Sequence, residues 1–403
     1  MSVPEKQNLK ILFISLFLPR KTASHAGGRH VFWLLQSLAQ RHEIHLVTRL
    51  EQGEEPYLQE LENICTTVTT YSYPAVEKRN AVESMRLAAN YLGFSRFADR
   101  FIRQQSFDLI QVEWVETGLF IFRHGAPMVL DAHDVITKPA ERRAAAATGI
   151  SRVLAWLVWQ VVKRLEQAIV RRYDCVTTLS EFDRSYMRSL SPQVPVSVVP
   201  VPAGLDISSK QYAVRPRTLL FFASYKHRFV NVAAALWFHH EVLPLVRQTC
   251  ADARFVIAGY GPPEALTGLA TADPLTEVTG FVDDMDRCYK EAEIFVAPIR
   301  TGGGIIVKVL DALAAGRPVV TTTFGNEGVG ATPGEHLLVA DTPADFAAAV
   351  VYLLLHPEQA HALGAKGQEF VRLRYGQETI IRQVEETYQK LANKRCSGKT
   401  EEL

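Results

Sequence analysis

The stretch Arg300-Thr-Gly-Gly-Gly-Ile-Ile-Val-Lys308-Val-Leu-Asp311-Ala-Leu-Ala-Ala-Gly316-Arg-Pro-Val-Val320 decides how the chain folds. Ile294 to Ile299 before it is an apolar strand, and three glycines end that strand. Ile305 to Ala315 then carries apolar residues at helical spacing, and Pro318 to Thr322 is again a buried strand. Strand, glycine turn, helix and strand in direct succession make a βαβ unit, which belongs to a parallel sheet. Glycines let an anion approach the backbone, and the helix start offers unpaired N–H groups and a positive dipole end. Lys308 and Asp311 sit three apart and project from one face of that helix. A cation beside a phosphate and an acceptor for sugar hydroxyls suit a nucleotide-diphosphate-sugar better than a bare phosphate.

The same alternation runs outward in both directions. Strands are expected at Lys10–Phe17, Glu43–Thr48, Thr67–Tyr73, Leu109–Val112, Met128–Ala132, Cys175–Leu179 and Val196–Val199. A second set follows at Thr218–Ala223, Arg254–Ala258, Val278–Phe281, Ile294–Ile299, Pro318–Thr322 and His336–Ala340. Pro200 to Pro216, rich in Pro, Gly and Ser, reads as the linker between two α/β halves. This places one domain at 1–205 and the other at 216–376. The tail 377–395 sets Ile380, Ile381, Val384, Tyr388 and Leu391 on one helical face, so it has an apolar side to bury.

Composition narrows the class without naming it. The 403 residues allow two cores, and 47% hydrophobic with 22% charged residues is ordinary for a globular chain. A net charge of +1 gives no electrostatic case for nucleic acid. The five cysteines are scattered without a C-x-x-C pair and read as reduced thiols. Lys10 to Leu18 reads as a strand rather than a secretory signal, which makes a cytoplasmic location the expectation. No run is expected to reach the length of a membrane span, Val153 to Val162 being the nearest.

The opening segment resembles the signature of the family 4 (group 1) glycosyltransferases. There a glutamate, seven residues and a second glutamate precede Ala-x-Ala-x-Gly-x-Pro-Val-Val. Asp311 falls on the second glutamate and Gly303 on the first, so that carboxylate is missing. The Gly-Gly-Gly-x-x-x-Lys-x-Leu-[Glu/Asp]-Ala variant is similar to a bacterial branch linked to exopolysaccharide and surface glycans. The resemblance implies a GT-B fold, two Rossmann-like domains with parallel sheets facing a cleft, and a last helix crossing back to the first domain. It also implies a retaining transfer from a nucleotide-diphosphate-sugar to a glycan, lipid-linked or small-molecule acceptor. The nucleotide-sugar is substrate rather than cofactor, and no metal is expected, there being no Asp-x-Asp pair arranged for one. A GT-B-like binding or regulatory protein and a nucleotide-sugar epimerase are the alternatives. The losses at Gly303 and Ala223 motivate the first of these.

The site residues follow motif by motif. Ala26-Gly27-Gly28-Arg29 follows the first strand, opens a helix expected at His30 to Arg41 and resembles the loop that approaches the donor diphosphate, with Arg29 a further candidate. The plain alternative is a tight strand-to-helix turn. Asp131-Ala-His133-Asp134 closes the strand Met128–Ala132, and relatives carry a histidine there near the sugar and leaving phosphate. The alternative for His133 is a turn or capping role. Lys226, His227 and Arg228 follow Ala223, which stands where relatives have glycine. Lys226 is the first choice for neutralising phosphate and Arg228 the second, while Asn231 reads as a helix N-cap. Gly259 and Val282, in loops that are otherwise simple turns, resemble the surroundings of the nucleobase. Gly303, Gly304, Ile305 and Ile306 form the glycine-rich helix start. Glu327, in a loop that Asn and Gly alone would also explain, is an outer candidate. The catalytic set is thus His133, Lys308 and Lys226. Arg152 to Arg172 and the helix around Arg86 to Arg103 mix basic and aromatic residues. Packing on the first sheet is the plain reading, and contact with the inner face of a membrane is the alternative.

Overall fold

The computed structural model describes residues 8–23, 26–74, 81–204, 207–226, 228–301 and 305–397. Gly303, Gly304 and His227 lie outside the described residues. The chain divides into two compact units, Met1–Pro200 with Ile381–Leu403, and Val201–Ile380.

The first unit is built on β1 (Lys10–Ser15), β2 (Glu43–Glu51), β3 (Thr67–Tyr73), β4 (Leu109–Glu113), β5 (Met128–Ala132), β6 (Cys175–Thr178) and β7 (Val196–Val198). They pair in parallel in the order β3-β2-β1-β4-β5-β6-β7. Strands β4 and β5 are buried at every position, whereas the edge strand β3 is half-exposed. Continuous apolar runs mark strands covered on both faces, and β3 lacks one for that reason.

The second unit holds β8 (Thr218–Phe222), β9 (Arg254–Ala258), β10 (Thr276–Gly280), β11 (Ile294–Ala297), β12 (Val319–Thr321) and β13 (Leu338–Val339). These are also parallel, in the order β10-β9-β8-β11-β12-β13. Phe238 anchors their core, with ring centroids 4.7 Å from Phe255 and 5.8 Å from Phe346. Each such ring contributes roughly 1.5–3 kcal/mol by its burial. In each sheet the strand order reverses once, between β1 and β4 and between β8 and β11. Ligands of open parallel sheets bind outside the carboxyl ends of the strands at such a reversal.

Helix Gln377–Ser397 buries Ile380, Val384 and Tyr388. From Ile381 onward it belongs to the first unit. There the Tyr388 hydroxyl donates to Gln111 Oε1, and Arg41 Nη1 donates to Glu385 Oε1 at 2.6 Å.

Three expectations are corrected. The first helix begins at Ala26, not His30, so Gly27 and Gly28 form its first turn rather than a preceding loop. Pro200 to Pro216 is not a free linker. Ala203 N–H donates to the Tyr375 carbonyl at 3.2 Å and Arg215 N–H to the Glu291 carbonyl at 2.8 Å, both within the second unit. Finally, the continuous helix Phe229–Thr249 is long and apolar enough to cross a membrane by length and composition alone. Its Ala234, Ala235, Phe238, Val242, Leu243 and Val246 are buried in the second core, which accounts for the apolarity.

Candidate active site

In the first unit the carboxyl ends of β4 and β5 create a buried charge cluster. Parallel register pairs Glu113 with Asp131, so both carboxylates leave the same face of the sheet. His133 follows β5 and donates from Nε2 to Glu113 Oε2 at 2.8 Å, with Asp131 Oδ2 at 3.7 Å. Gln111 Nε2 donates to the other Glu113 oxygen at 2.8 Å, and Thr177 Oγ1 donates to Asp131 Oδ1 at 2.9 Å. His30, from the first helix, places Nε2 3.8 Å from Asp131 Oδ2. His30, Glu113, Asp131 and His133 are all buried, and among the described residues His133 Nδ1 has no hydrogen-bond partner.

Trp114 lies flat on the His133 ring, with centroids 4.2 Å apart and planes 13° from parallel. Its backbone takes φ +67°, which a non-glycine residue adopts at a cost of about 1–3 kcal/mol. The stack returns part of that cost when the imidazole is charged, because a cation is attracted to an indole face. Burial works against protonation of His133. The Asp131 charge, the hydrogen bond to Glu113 and the Glu113 charge outweigh it, so the histidine sits above its ordinary value. Burial also opposes ionisation of Asp131, but the charge of His133, the nearby His30 imidazole and a hydrogen bond from Thr177 hold it below the usual carboxylate value. Glu113 is raised, first by burial and then by the Asp131 charge. The cluster therefore keeps a proton on His133 opposite an ionised Asp131. One ligand atom from each of Glu113, Asp131 and His133 lies within 4.8 Å of the others, a spacing that would also suit a cation. Three of the four carboxylate oxygens already accept from Gln111, Thr177 and His133 itself, and among the described residues Asp131 Oδ2 has no hydrogen-bond partner.

In the second unit the end of β8 meets the helix Val307–Ala314. Lys308 Nζ donates to Asn231 Oδ1 at 2.7 Å and lies 5.1 Å over the Phe221 ring. Asn231 Nδ2 in turn donates to the Ser224 carbonyl at 2.7 Å. Asn231 is therefore not the N-cap of its helix, which Arg228 occupies. Its amide ties Lys308 to the turn after β8. Burial, followed by the charge of Arg228, lowers the Lys308 ammonium to about 7. Lys226 is exposed, with Nζ 3.4 Å from the Tyr260 hydroxyl. Among the described residues no carboxylate pairs with Lys226, Arg228 or Lys308.

Two glycines shape this end of the sheet. Gly259 has φ +125°, and a Cβ there would lie 1.9 Å from the Ala223 carbonyl oxygen. Gly261 has φ +67°, and its Cβ would lie 2.7 Å from Lys226 Cβ. Both let the β9 loop stack against the turn that carries Lys226, so the need for glycine is structural. Ile305 and Ile306 pack partly buried on the second core, ahead of a helix that starts at Val307 rather than Ile305. Asp311 Oδ1 accepts from the Gly204 N–H at 3.1 Å. Val282 lines a cavity of about 220 Å³ with Leu220, Val256, Thr279 and Cys288. Glu327 ends a short helix, Thr323–Glu327, where a loop was expected. In the first unit Gly28 is buried, Arg29 partly buried and Asp134 exposed.

Sequence reasoning missed Glu113, Trp114 and His30 as partners of His133. The signal for Glu113 was available, since a lone carboxylate ends the otherwise uncharged run Leu109-Ile-Gln-Val-Glu113 of a central strand.

Comparison with known proteins gives these sites a context. Residues 27–208 match the family described as Glycosyltransferase Family 4, and residues 216–356 match Glycosyl transferases group 1. A GDP-mannose-dependent alpha-(1-6)-phosphatidylinositol monomannoside mannosyltransferase of Mycobacterium tuberculosis is 29% identical over 59% of this chain and 69% of its own. A D-inositol 3-phosphate glycosyltransferase of Kineococcus radiotolerans is 26% identical over 85% of each chain. Among solved structures, the sucrose-phosphate synthase of Thermosynechococcus elongatus superposes with a TM-score of 0.68 at 17% identity, covering 96% of this chain and 100% of its own. The Anabaena protein HepE in complex with UDP gives 0.66 at 14% identity, covering 95% and 100%. These structural likenesses establish the GT-B fold.

Proposed function

We propose a reaction for this chain from its family: it belongs to the family 4 (group 1) glycosyltransferases, and it is a hexosyltransferase that uses a nucleotide-sugar donor. The reaction is transfer with retention of anomeric configuration, without a metal ion, to a glycan or lipid-linked acceptor. One observation carries the assignment of the donor site. Lys226, Arg228 and Lys308 gather near the end of β8 with no carboxylate among the described residues to neutralise them. Cations left unpaired and partly desolvated suit a diphosphate, whose leaving charge they stabilise without help from a divalent ion.

The other residues take their roles from motif position and local geometry. Asp311 binds ribose hydroxyls, held in place by the Gly204 N–H. By motif position Gly303, Gly304, Ile305 and Ile306 are assigned to the diphosphate and sugar. Gly27, Gly28 and Arg29, in the first turn of their helix, add the positive end of a helix dipole and a cation. His133 acts on the transferred sugar through Nδ1, its Nε2 being committed to Glu113. The leaving phosphate takes the acceptor proton. A strained Trp114 and a buried triad of charges are costly to maintain, and a protein that only binds nucleotide has no use for them. That cost favours transfer over the binding or regulatory alternative.

The test is a transfer assay on the full chain with GDP-mannose and UDP-glucose as donors and a lipid-linked or glycan acceptor, run with and without chelator. The expected result is product of the donor's anomeric configuration by NMR, formed equally in chelator. Inverted product, or activity that vanishes in chelator and returns with Mg²⁺ or Mn²⁺, refutes the corresponding part.

A further inference from the structure

The helix Gly149–Val170 presents two faces of opposite use. Glu166, Ile169 and Val170 are buried against the first unit. The opposite side carries Ile150, Val153, Leu154, Leu157, Val161 and Leu165, all between 42 and 83% exposed. Their spacing forms a single stripe roughly 22 Å long. Single exposed apolar residues are ordinary, but a contiguous stripe marks a surface that meets something. The stripe also departs from the expectation that this segment packs its apolar residues on the first sheet.

Charge selects the occupant. Glu166, the one acidic side chain of the helix, is turned inward, where it accepts from the Ile136 and Thr137 N–H groups at 3.0 Å each. Arg152 and Arg164 are exposed on the same helix, and Arg143 is exposed on the preceding helix Thr137–Ala146. Beside the stripe lies a cavity of about 430 Å³ lined by Ala144, Arg152, Val153, Trp156 and Trp159, and by Glu141, which accepts from the Tyr186 hydroxyl. A second copy is a poor occupant. Antiparallel pairing about the middle of the stripe sets Arg152 level with Lys163 of the other copy and Arg164 level with Ser151, and parallel pairing sets like residues together. Neither arrangement supplies an acid. An apolar face flanked by arginine and tryptophan matches a helix lying in the plane of an anionic bilayer.

We infer that the outward face of Gly149–Val170 seats on an anionic lipid surface, its valines and leucines at the acyl boundary and Arg152 and Arg164 against lipid phosphates. The inference rests on this surface alone and stands or falls separately from the transfer reaction. The test is co-sedimentation of the full chain with vesicles of pure phosphatidylcholine and of phosphatidylcholine mixed equally with phosphatidylglycerol. Strong binding to the mixed vesicles, weak binding to the neutral ones and loss at high salt are expected. Leu157→Glu with Val161→Glu changes exposed side chains only. It should weaken binding by about tenfold or more while leaving the thermal melt unchanged. The paired variant Arg152→Ala, Arg164→Ala, which keeps the stripe intact, should weaken mixed-vesicle binding without abolishing it. Absence of binding to the mixed vesicles overturns the inference, as does undiminished binding by the Leu157→Glu, Val161→Glu variant. So does a wild-type dimer that this variant converts to monomer with no vesicle binding in either form.

Discussion

Both units place a titratable cation beyond the carboxyl end of a parallel strand, yet they treat it in opposite ways. His133 in the first unit has Glu113 and Asp131 against it and is raised above its ordinary value. Lys308 in the second has an amide and Arg228 near it and is lowered to about 7. The cause is the sign of the neighbours, since burial acts against the charged form in both. A cation that brings its own anions holds its proton without a ligand. A cation surrounded by other cations is unfinished until an anion arrives. Turnover should therefore depend most on the first cluster and nucleotide affinity on the second.

The largest expected effect comes from His133→Ala, which removes the side chain that the proposed reaction sets at the transferred sugar. Turnover should fall by about 10²–10³-fold, with nucleoside diphosphate affinity nearly unchanged by calorimetry. A loss of affinity as large as the loss of turnover would erase the distinction between the clusters. Next comes Lys308→Ala, which removes a charge-assisted contact worth about 1.5–3 kcal/mol. Nucleoside diphosphate should bind roughly ten- to a hundredfold more weakly, and wild-type affinity in this variant would break the comparison from the other side.

A smaller effect sharpens the first cluster. In Glu113→Gln the amide still accepts from His133, but the negative charge is gone, so the histidine loses its proton at lower pH. The alkaline limb of the pH–turnover profile should move down, with the acid limit of nucleotide binding unaffected. The sign on stability can be checked separately. A histidine raised in the folded state stabilises the fold fully below its unfolded value, and that contribution disappears as pH rises through the folded value. The Glu113→Gln protein should lose this gain at a lower pH in thermal melts. A profile identical to wild type would mean that Glu113 does not tune His133.

Much of this was legible in the sequence, and the exceptions share a cause. Strands such as Leu219-Leu-Phe-Phe222 and Ile294-Phe-Val-Ala297 are apolar on both faces, a pattern that only a covered parallel sheet explains. Lys308 and His133 were singled out because local motifs carry them. The partners of His133 come from β4 and the first helix, and only the strand order β1-β4-β5 brings those elements beside β5. The role of Asn231 was misread for a similar reason. An asparagine ahead of an apolar run looks like a cap, and the tertiary bond to Lys308 that gives it another function leaves no local pattern. The start of the first helix was misplaced because Gly27 and Gly28 are poor helix formers, and the structure nevertheless carries the helix through them.

The central claim is that the second unit's unpaired cations await a diphosphate, and proton uptake tests it most directly. With Lys308 lowered from 10.5 to about 7, the folded protein carries fewer protons than the unfolded chain between those values. A bound diphosphate restores the charge, so binding at pH 8 must draw protons from solution. Calorimetric titration of the full chain with nucleoside diphosphate, in two buffers of different ionisation enthalpy, measures that number. About one proton should be taken up by the wild type and close to none by Lys308→Met, with wild-type affinity falling up to about tenfold per unit as pH rises above 7. Binding without proton exchange, equally tight in both proteins, would contradict the account.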